Sequence, residues 1–163
     1  MNDSTIKPIQ QVIQGLHVIS NNQSSRNDKI LLFIHGAWHS SVCWEKNFFP
    51  YFASKNFNCY ALDLRYHGKS VKKGKFKLIS MNDYVEDVHT IVQELSKEFK
   101  DIIFVAHSMG GLVAQKYLTK YPDTIHSAIL LAPATSWGVR SITLRTMFQH
   151  PLTFVKMKSL FIF

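Results

Sequence analysis

The chain has 163 residues, of which 46% are hydrophobic and 18% charged. That length suggests one domain, and that composition excludes a disordered chain. Basic residues outnumber acidic ones 19 to 11, for a net charge of +8, but the positives are mostly dispersed. The one cluster, Lys69, Lys72, Lys73, Lys75 and Lys77, is interrupted by Gly74 and Phe76. It reads as a solvated loop, so nucleic acid is not an expected partner.

In chain order, residues 1–8 are polar and lack the apolar centre of a targeting segment. Residues 15–20 suit a short leading strand, and the all-polar stretch 21–28 suits a loop. Residues 30–34 are a continuous apolar run, expected of a strand buried on both faces. It runs into His35-Gly36-Ala37-Trp38. Residues 43–53 are expected to be helical, with an interruption at Pro50. Residues 57–64 form the next strand, followed by a basic loop around Gly68 and Gly74. The strongest helix spans 81–99, capped by Ser80 or Asn82. Its Tyr84, Val85, Val88, Ile91, Val92 and Leu95 recur at helical spacing as one apolar stripe. A strand at 102–106, a helix at 109–120 and a strand at 125–132 follow. No apolar run reaches the ~18 residues of a membrane span, so no integral membrane segment is expected. Cys43 and Cys59 have neither metal nor redox spacing. With no leader ahead of them they read as reduced thiols in a cytoplasmic protein.

Strands that alternate with helices of ten or more residues predict an α/β fold. Its sheet is mostly parallel, with helices on both faces. Ligands bind such sheets outside the carboxyl ends of the strands. His35-Gly36-Ala37, Asp63 and Ser108 all fall at those ends. Around the last of these the sequence is Ala106-His107-Ser108-Met109-Gly110, a Gly-x-Ser-x-Gly pattern with alanine in first place. A serine on a sharp strand-to-helix turn is exposed for nucleophilic attack, and small neighbours let strand and helix approach. The turn sets the Met109 N–H at a helix start, where it can stabilise an oxyanion. The Ala37 N–H is the best second donor, on a loop that Gly36 lets bend.

Four pieces, "LLFIHGAWHSSVCWE", "ALDLRYHGKS", "FVAHSMGGLVAQKYLTKYP" and "AILLAPA", resemble the α/β-hydrolase fold superfamily in order and spacing. They cover about residues 30–134, the N-terminal two-thirds of that fold. The His-Gly-Ala-Trp loop is similar to that of small-molecule esterases and hydroxynitrile lyases. The serine turn resembles lipases, esterases and lysophospholipase-like enzymes. Epoxide hydrolases and haloalkane dehalogenases carry aspartate at the nucleophile position, so Ser108 argues against both. The resemblance implies a serine hydrolase acting on a small-molecule acyl substrate, with Ser108 as nucleophile and no metal or organic cofactor. It implies that His35, Gly36 and Gly110 support the loop and turn, and that Asp63 is structural. Arg65 and His67 are expected to brace the loop that carries Asp63. Trp38 and Trp44 line an acyl pocket or pack in the core.

A serine needs a base, and the base an orienting acid. In the superfamily both follow later strands. Here no aspartate or glutamate follows Asp123, and the last histidine is His150. His126 sits at the wrong end of its strand, and His150 has no acid beside it. Residues 1–136 therefore read as the N-terminal part of a hydrolase core, and 137–163 as the start of an incomplete helical cap. The chain is expected to be a truncated product, a fragment, or one half of an enzyme completed by a second polypeptide. It is then inactive alone. The alternative is a non-catalytic remnant or binding domain of the same fold.

Overall fold

The computed structural model describes residues 7–21, 29–71 and 78–135. The chain divides into two compact units, 1–133 and 134–163, and every element below belongs to the first. The expected cap segment lies outside the described residues, as do four of the five clustered lysines and His150.

Six strands form one sheet: β1 (Ile9–Ile13), β2 (Leu16–Ser20), β3 (Lys29–Ile34), β4 (Asn58–Leu62), β5 (Asp101–His107) and β6 (Ser127–Leu131). Their order is β1-β2-β4-β3-β5-β6. The β1–β2 and β2–β4 pairs are antiparallel, and the remaining pairs are parallel. The expected mostly parallel α/β sheet is therefore present, with an antiparallel hairpin on one edge.

That hairpin adds a strand that the sequence reading lacked. Gln14 and Gly15 both have positive φ, 49° and 85°, as a tight two-residue hairpin turn requires. β1 is mostly exposed, so Ile-Gln-Gln-Val-Ile carries no clean alternation to mark it.

Among the described residues four helices flank the sheet: α1 (Val42–Glu45), α2 (Phe48–Ala53), α3 (Met81–Leu95) and α4 (Met109–Lys120). The expected interruption at Pro50 is corrected here. The break falls at Lys46–Asn47, and Pro50 lies in the first turn of α2. A proline is tolerated there, because first-turn N–H groups have no helical acceptor. α3 starts at Ser80, whose N–H and hydroxyl both donate to Asp83, at 2.9 and 2.8 Å. Ser80 rather than Asn82 is thus the capping residue.

Strand alternation divides the core. Ile30, Leu32 and Ile34 of β3 point into a cluster with Val85, Val88, Ile91 and Val92 of α3 and Val113, Ala114 and Tyr117 of α4. Leu31 and Phe33 point the other way, onto Trp44 of α1 and Phe49 of α2. A continuously apolar strand is explained by burial on both faces. Helices on both faces fix the carboxyl ends of β3, β4 and β5 side by side, and those ends carry the candidate residues.

Candidate active site

β5 ends at His107, α4 begins at Met109, and Ser108 alone makes the turn between them. Its φ and ψ are 52° and −116°. That conformation is strained for a residue with a Cβ, and it persists only where the surroundings impose it. The surroundings here can be named. The Ser108 N–H donates to the Leu131 carbonyl at 3.0 Å, and its own carbonyl accepts from Gly111 at 3.0 Å and Leu112 at 3.3 Å. Gly110 lies so close to β3 that a Cβ on it would stand 2.5 Å from the Ile34 carbonyl oxygen and 2.6 Å from that of His35. A Cβ on Gly111 would stand 2.6 Å from Pro133. Both glycines are therefore explained by close approach.

The loop after β3 reaches the serine. A Cβ on Gly36 would lie 3.1 Å from the Ser108 Cβ and 3.1 Å from His107 Nδ1. This corrects the reason expected for Gly36. The left-handed bend of the loop falls instead at Trp38, with φ 65°. What Gly36 contributes is room for the serine turn. Among the described residues, neither the Ala37 nor the Met109 N–H donates to a backbone acceptor. Met109 is the first residue of α4, where an N–H has no partner within the helix.

His35 holds the loop at its base. It is fully buried. Its Nε2 lies 3.1 Å from the Leu64 N–H, which donates to it, so Nδ1 must carry the proton and donate to the Gly36 carbonyl at 2.8 Å. Burial pushes its pKa down to about 4, consistent with a neutral ring that accepts on one side and donates on the other.

Asp63, just past β4, is a buried hub. Its carboxylate accepts the Ser41 N–H at 2.6 Å and the Lys69 N–H at 2.8 Å, and it meets His17 Nδ1 at 2.9 Å. Burial works against its charge. The Lys69 and Ser41 N–H groups, with His17, outweigh burial and hold the carboxyl below its usual range. A Cβ on Gly68 would collide with this carboxylate, and Gly68 has φ 51°. Sequence reasoning placed Asp63 correctly as a candidate for support. It missed His17 as a partner, because nothing in a lone strand histidine signals a contact 46 residues away. Arg65 braces the same loop through α3: its guanidinium bonds Asp87 at 2.7 Å and Asp83 at 2.8 Å. His67 packs its ring on His35 and Tyr84.

A cavity of about 260 Å³ is lined by His39, Cys43, Trp44, Phe48, His107 and Leu131. Trp44 lines this cavity and packs in the core against Phe33. Trp38 is exposed and lines a shallower, open depression with His39, Ser40, Val42, Cys43 and Gly68. Burial pushes the Cys43 thiol up to about 11, so it stays protonated at neutral pH.

No described histidine bonds the Ser108 side chain. His35 bonds backbone on both sides of its ring, His17 meets Asp63, and His67 meets the Arg65 carbonyl. His89 lies against Tyr117 and Tyr121 between α3 and α4. His126 pairs with Asp101 at the amino end of β5, the end of the sheet away from Ser108. Among the described residues no group of three metal-ligating side chains occurs. No described helix is long and apolar enough to cross a membrane.

A serine on a sharp strand-to-helix turn, a loop packed against it and a mostly parallel sheet with helices on both faces agree with one superfamily. The model of the serine aminopeptidase S33 family matches residues 25–160. The chain belongs to the serine aminopeptidase S33 family. This is a family of α/β hydrolases, and its members are enzymes. The S33 chain is 34% identical over 117 residues to the probable lysophospholipase BODYGUARD 2 of Arabidopsis thaliana, covering 69% of this chain and 24% of that protein. It is 31% identical over 136 residues to protein phosphatase methylesterase 1 of Candida albicans, covering 80% and 37%. It is 31% identical over 107 residues to salicylic acid-binding protein 2 of Nicotiana tabacum, covering 66% and 40%. The chain thus spans between a quarter and two-fifths of the length of these relatives. Among solved structures, epoxide hydrolase A of Mycobacterium thermoresistibile superposes with a TM-score of 0.69 at 18% identity, over 86% of this chain and 45% of that one. Identity that low shows a shared fold, and nothing about the group that attacks.

Proposed function

We propose that the S33 chain carries the nucleophile half of a serine hydrolase acting on carboxylic esters or related acyl compounds. Ser108 Oγ attacks the acyl carbon. The Ala37 and Met109 N–H groups receive the negative charge that develops on the carbonyl oxygen, acting as preorganised donors. His35, Gly36 and Gly110 hold those two donors against the serine. The observation that carries this reading is the backbone of Ser108: a left-handed, clamped residue between strand and helix, with the Gly36 loop against it. Such strain is retained where a side chain must be presented.

The general base and its acid come from outside the described residues, because no described histidine hydrogen-bonds the Ser108 side chain and the superfamily carries both on later strands. A histidine reaching Ser108 takes the hydroxyl proton during attack and returns it to the leaving alcohol. The relatives' names (lysophospholipase, methylesterase) fit ester chemistry, while the substrate of this chain stays open between them.

A fluorophosphonate probe tests the proposal. The chain is labelled alone and again when fused to the part of the tobacco relative that it does not match. Adduct formation in the fused protein, abolished by Ser108→Ala, is the expected result. A correctly folded fusion that forms no adduct, or forms one unaffected by Ser108→Ala, overturns it.

A further inference from the structure

β1 pairs with β2 on one side and ends the described sheet on the other. Which of its backbone groups face outward follows from the ladder. The two-residue turn at Gln14 and Gly15 makes Ile13 and Leu16 a hydrogen-bonded pair, and such pairs alternate along an antiparallel ladder. Ile13, Gln11 and Ile9 therefore bond β2, and Gln10 and Val12 point their N–H and C=O groups away from it. The far side of β2 agrees. His17, opposite Val12, donates its N–H to Ser70 Oγ at 2.8 Å, and its carbonyl accepts the Asp63 N–H at 2.8 Å. Among the described residues, neither the Gln10 nor the Val12 N–H donates to a backbone acceptor outside the sheet. Natural edges are blunted by a charge, a proline or a bulge. Ile-Gln-Gln-Val-Ile has no charge and no proline, and its five pairs with β2 run without a bulge. Its Val12 is 68% exposed and its Ile9 46%.

We propose that two copies of this chain join antiparallel through β1, about a twofold axis at Gln11, into one continuous sheet. The strand is complementary to itself in this register. Gln10 of each copy lies opposite Val12 of the other, so the outward N–H and C=O groups meet and exchange hydrogen bonds. Ile9 lies opposite Ile13, which already packs on the cluster that α3 covers, so the apolar row continues across the seam. Slipping one copy until Gln10 faces Gln10 sets Val12 against Pro8, which has no N–H to give. That self-match selects a second copy over an unrelated extended segment. Strands this short bury less than the roughly 1,200 Å² of a standard interface, so the dimer is weak and forms with concentration. Charge opposes it. Each chain carries +8, and Lys69 Nζ lies 2.8 Å from Gln10 Oε1, so each copy brings an ammonium to the seam. Salt screens that repulsion and therefore strengthens the pairing.

Sedimentation equilibrium of the full chain is the test, in an Ile129→Lys background so that β6 does not contribute. A monomer–dimer equilibrium that tightens from low to high salt is expected. Val12→Pro removes one outward donor from each copy and leaves the β2 ladder intact, so it should weaken the dimer at least tenfold. Cysteines then read the register, in a protein that also carries Cys43→Ser. Gln11 faces its own counterpart as a non-hydrogen-bonded pair, with Cα atoms about 4.5 Å apart, which is within disulfide reach. Val12 lies diagonal to its counterpart, at roughly 7–8 Å. Mild oxidation should therefore cross-link Gln11→Cys into a dimer far faster than Val12→Cys. Should Val12→Pro not fold, the two cysteine variants still decide. A chain that stays monomeric at every concentration, a dimer that loosens with salt or persists undiminished in a folded Val12→Pro protein, or equal cross-linking of the two cysteine variants overturns the proposal.

Discussion

His35 shows how one neutral side chain positions the proposed oxyanion loop. Its ring accepts from Leu64 and donates to Gly36, so a second proton on Nε2 would face an N–H and break the staple. An unfolded histidine titrates near 6.5, whereas this one titrates near 4. Between those values the unfolded chain binds more protons. The stabilisation from the neutral ring is complete above about pH 7 and lost as pH falls through this window. The difference corresponds to about 3 kcal/mol. Urea unfolding at pH 7 and pH 4 should show that loss, and His35→Asn should show a much shallower dependence on top of a lower starting stability. Equal slopes in the two proteins would remove His35 as the source. The same residue marks what a sequence discloses at this scale. Local motifs carry His35, Gly36, Ala37, Ser108 and Gly110 as a group in the sequence, and the fold sets Gly36 against Ser108 and Gly110 against His35. The His17–Asp63 contact leaves no such trace, because it depends on what the fold brings near.

At the scale of elements, two approaches hold the site: α4 against β3, and the loop after β4 against α3. Gly110 occupies the first. Within a helix, glycine to alanine ordinarily gains about 1 kcal/mol. Here the added methyl would meet two backbone carbonyl oxygens at 2.5 and 2.6 Å, and backbone cannot yield as a side-chain tip can. Overpacking of this kind costs roughly 1–3 kcal/mol. Gly110→Ala should therefore lower the urea midpoint despite its better helix propensity; an unchanged or raised midpoint would show that α4 shifts freely. Arg65 occupies the second approach. It is largely buried with Asp87, whose carboxylate also accepts the Arg65 N–H at 2.8 Å. Arg65→Met leaves Asp87 buried without its cation, at a cost of about 3–5 kcal/mol. Adding Asp87→Asn should recover a good part of that loss. A loss below about 1 kcal/mol for Arg65→Met would show the tether to be dispensable. The α3 stripe and the continuous β3 run were readable because burial on one face or two leaves a periodic trace. β1 left none, being mostly exposed, and the break between α1 and α2 was misplaced because proline disrupts a helix interior but not its first turn.

At the scale of the whole molecule, the described unit presents a serine but no base. No described histidine hydrogen-bonds the Ser108 side chain, and His35, His17 and His67 are held by other bonds. A serine hydroxyl is a weak nucleophile at neutral pH without a base. In hydrolases stripped of triad members, the remaining donors and binding contacts still give roughly 10³–10⁴ over water. Such a remainder requires the site to persist in solution. Against that, β6 is the outer strand of the described sheet, and Ile129 on it is about half exposed, at 48%. An apolar, uncharged edge invites pairing between chains, so Ile129→Lys should reduce concentration-dependent association in sedimentation. The chain alone should hydrolyse p-nitrophenyl acetate at or near the background rate, with no loss in Ser108→Ala. The measurement is best made on the Ile129→Lys protein, where a dispersed sample separates missing chemistry from aggregation. Turnover well above background that disappears in Ser108→Ala would refute the expectation. It would also show that a histidine reaches the serine, with His39→Ala, His107→Ala and His150→Ala as the next variants to assay.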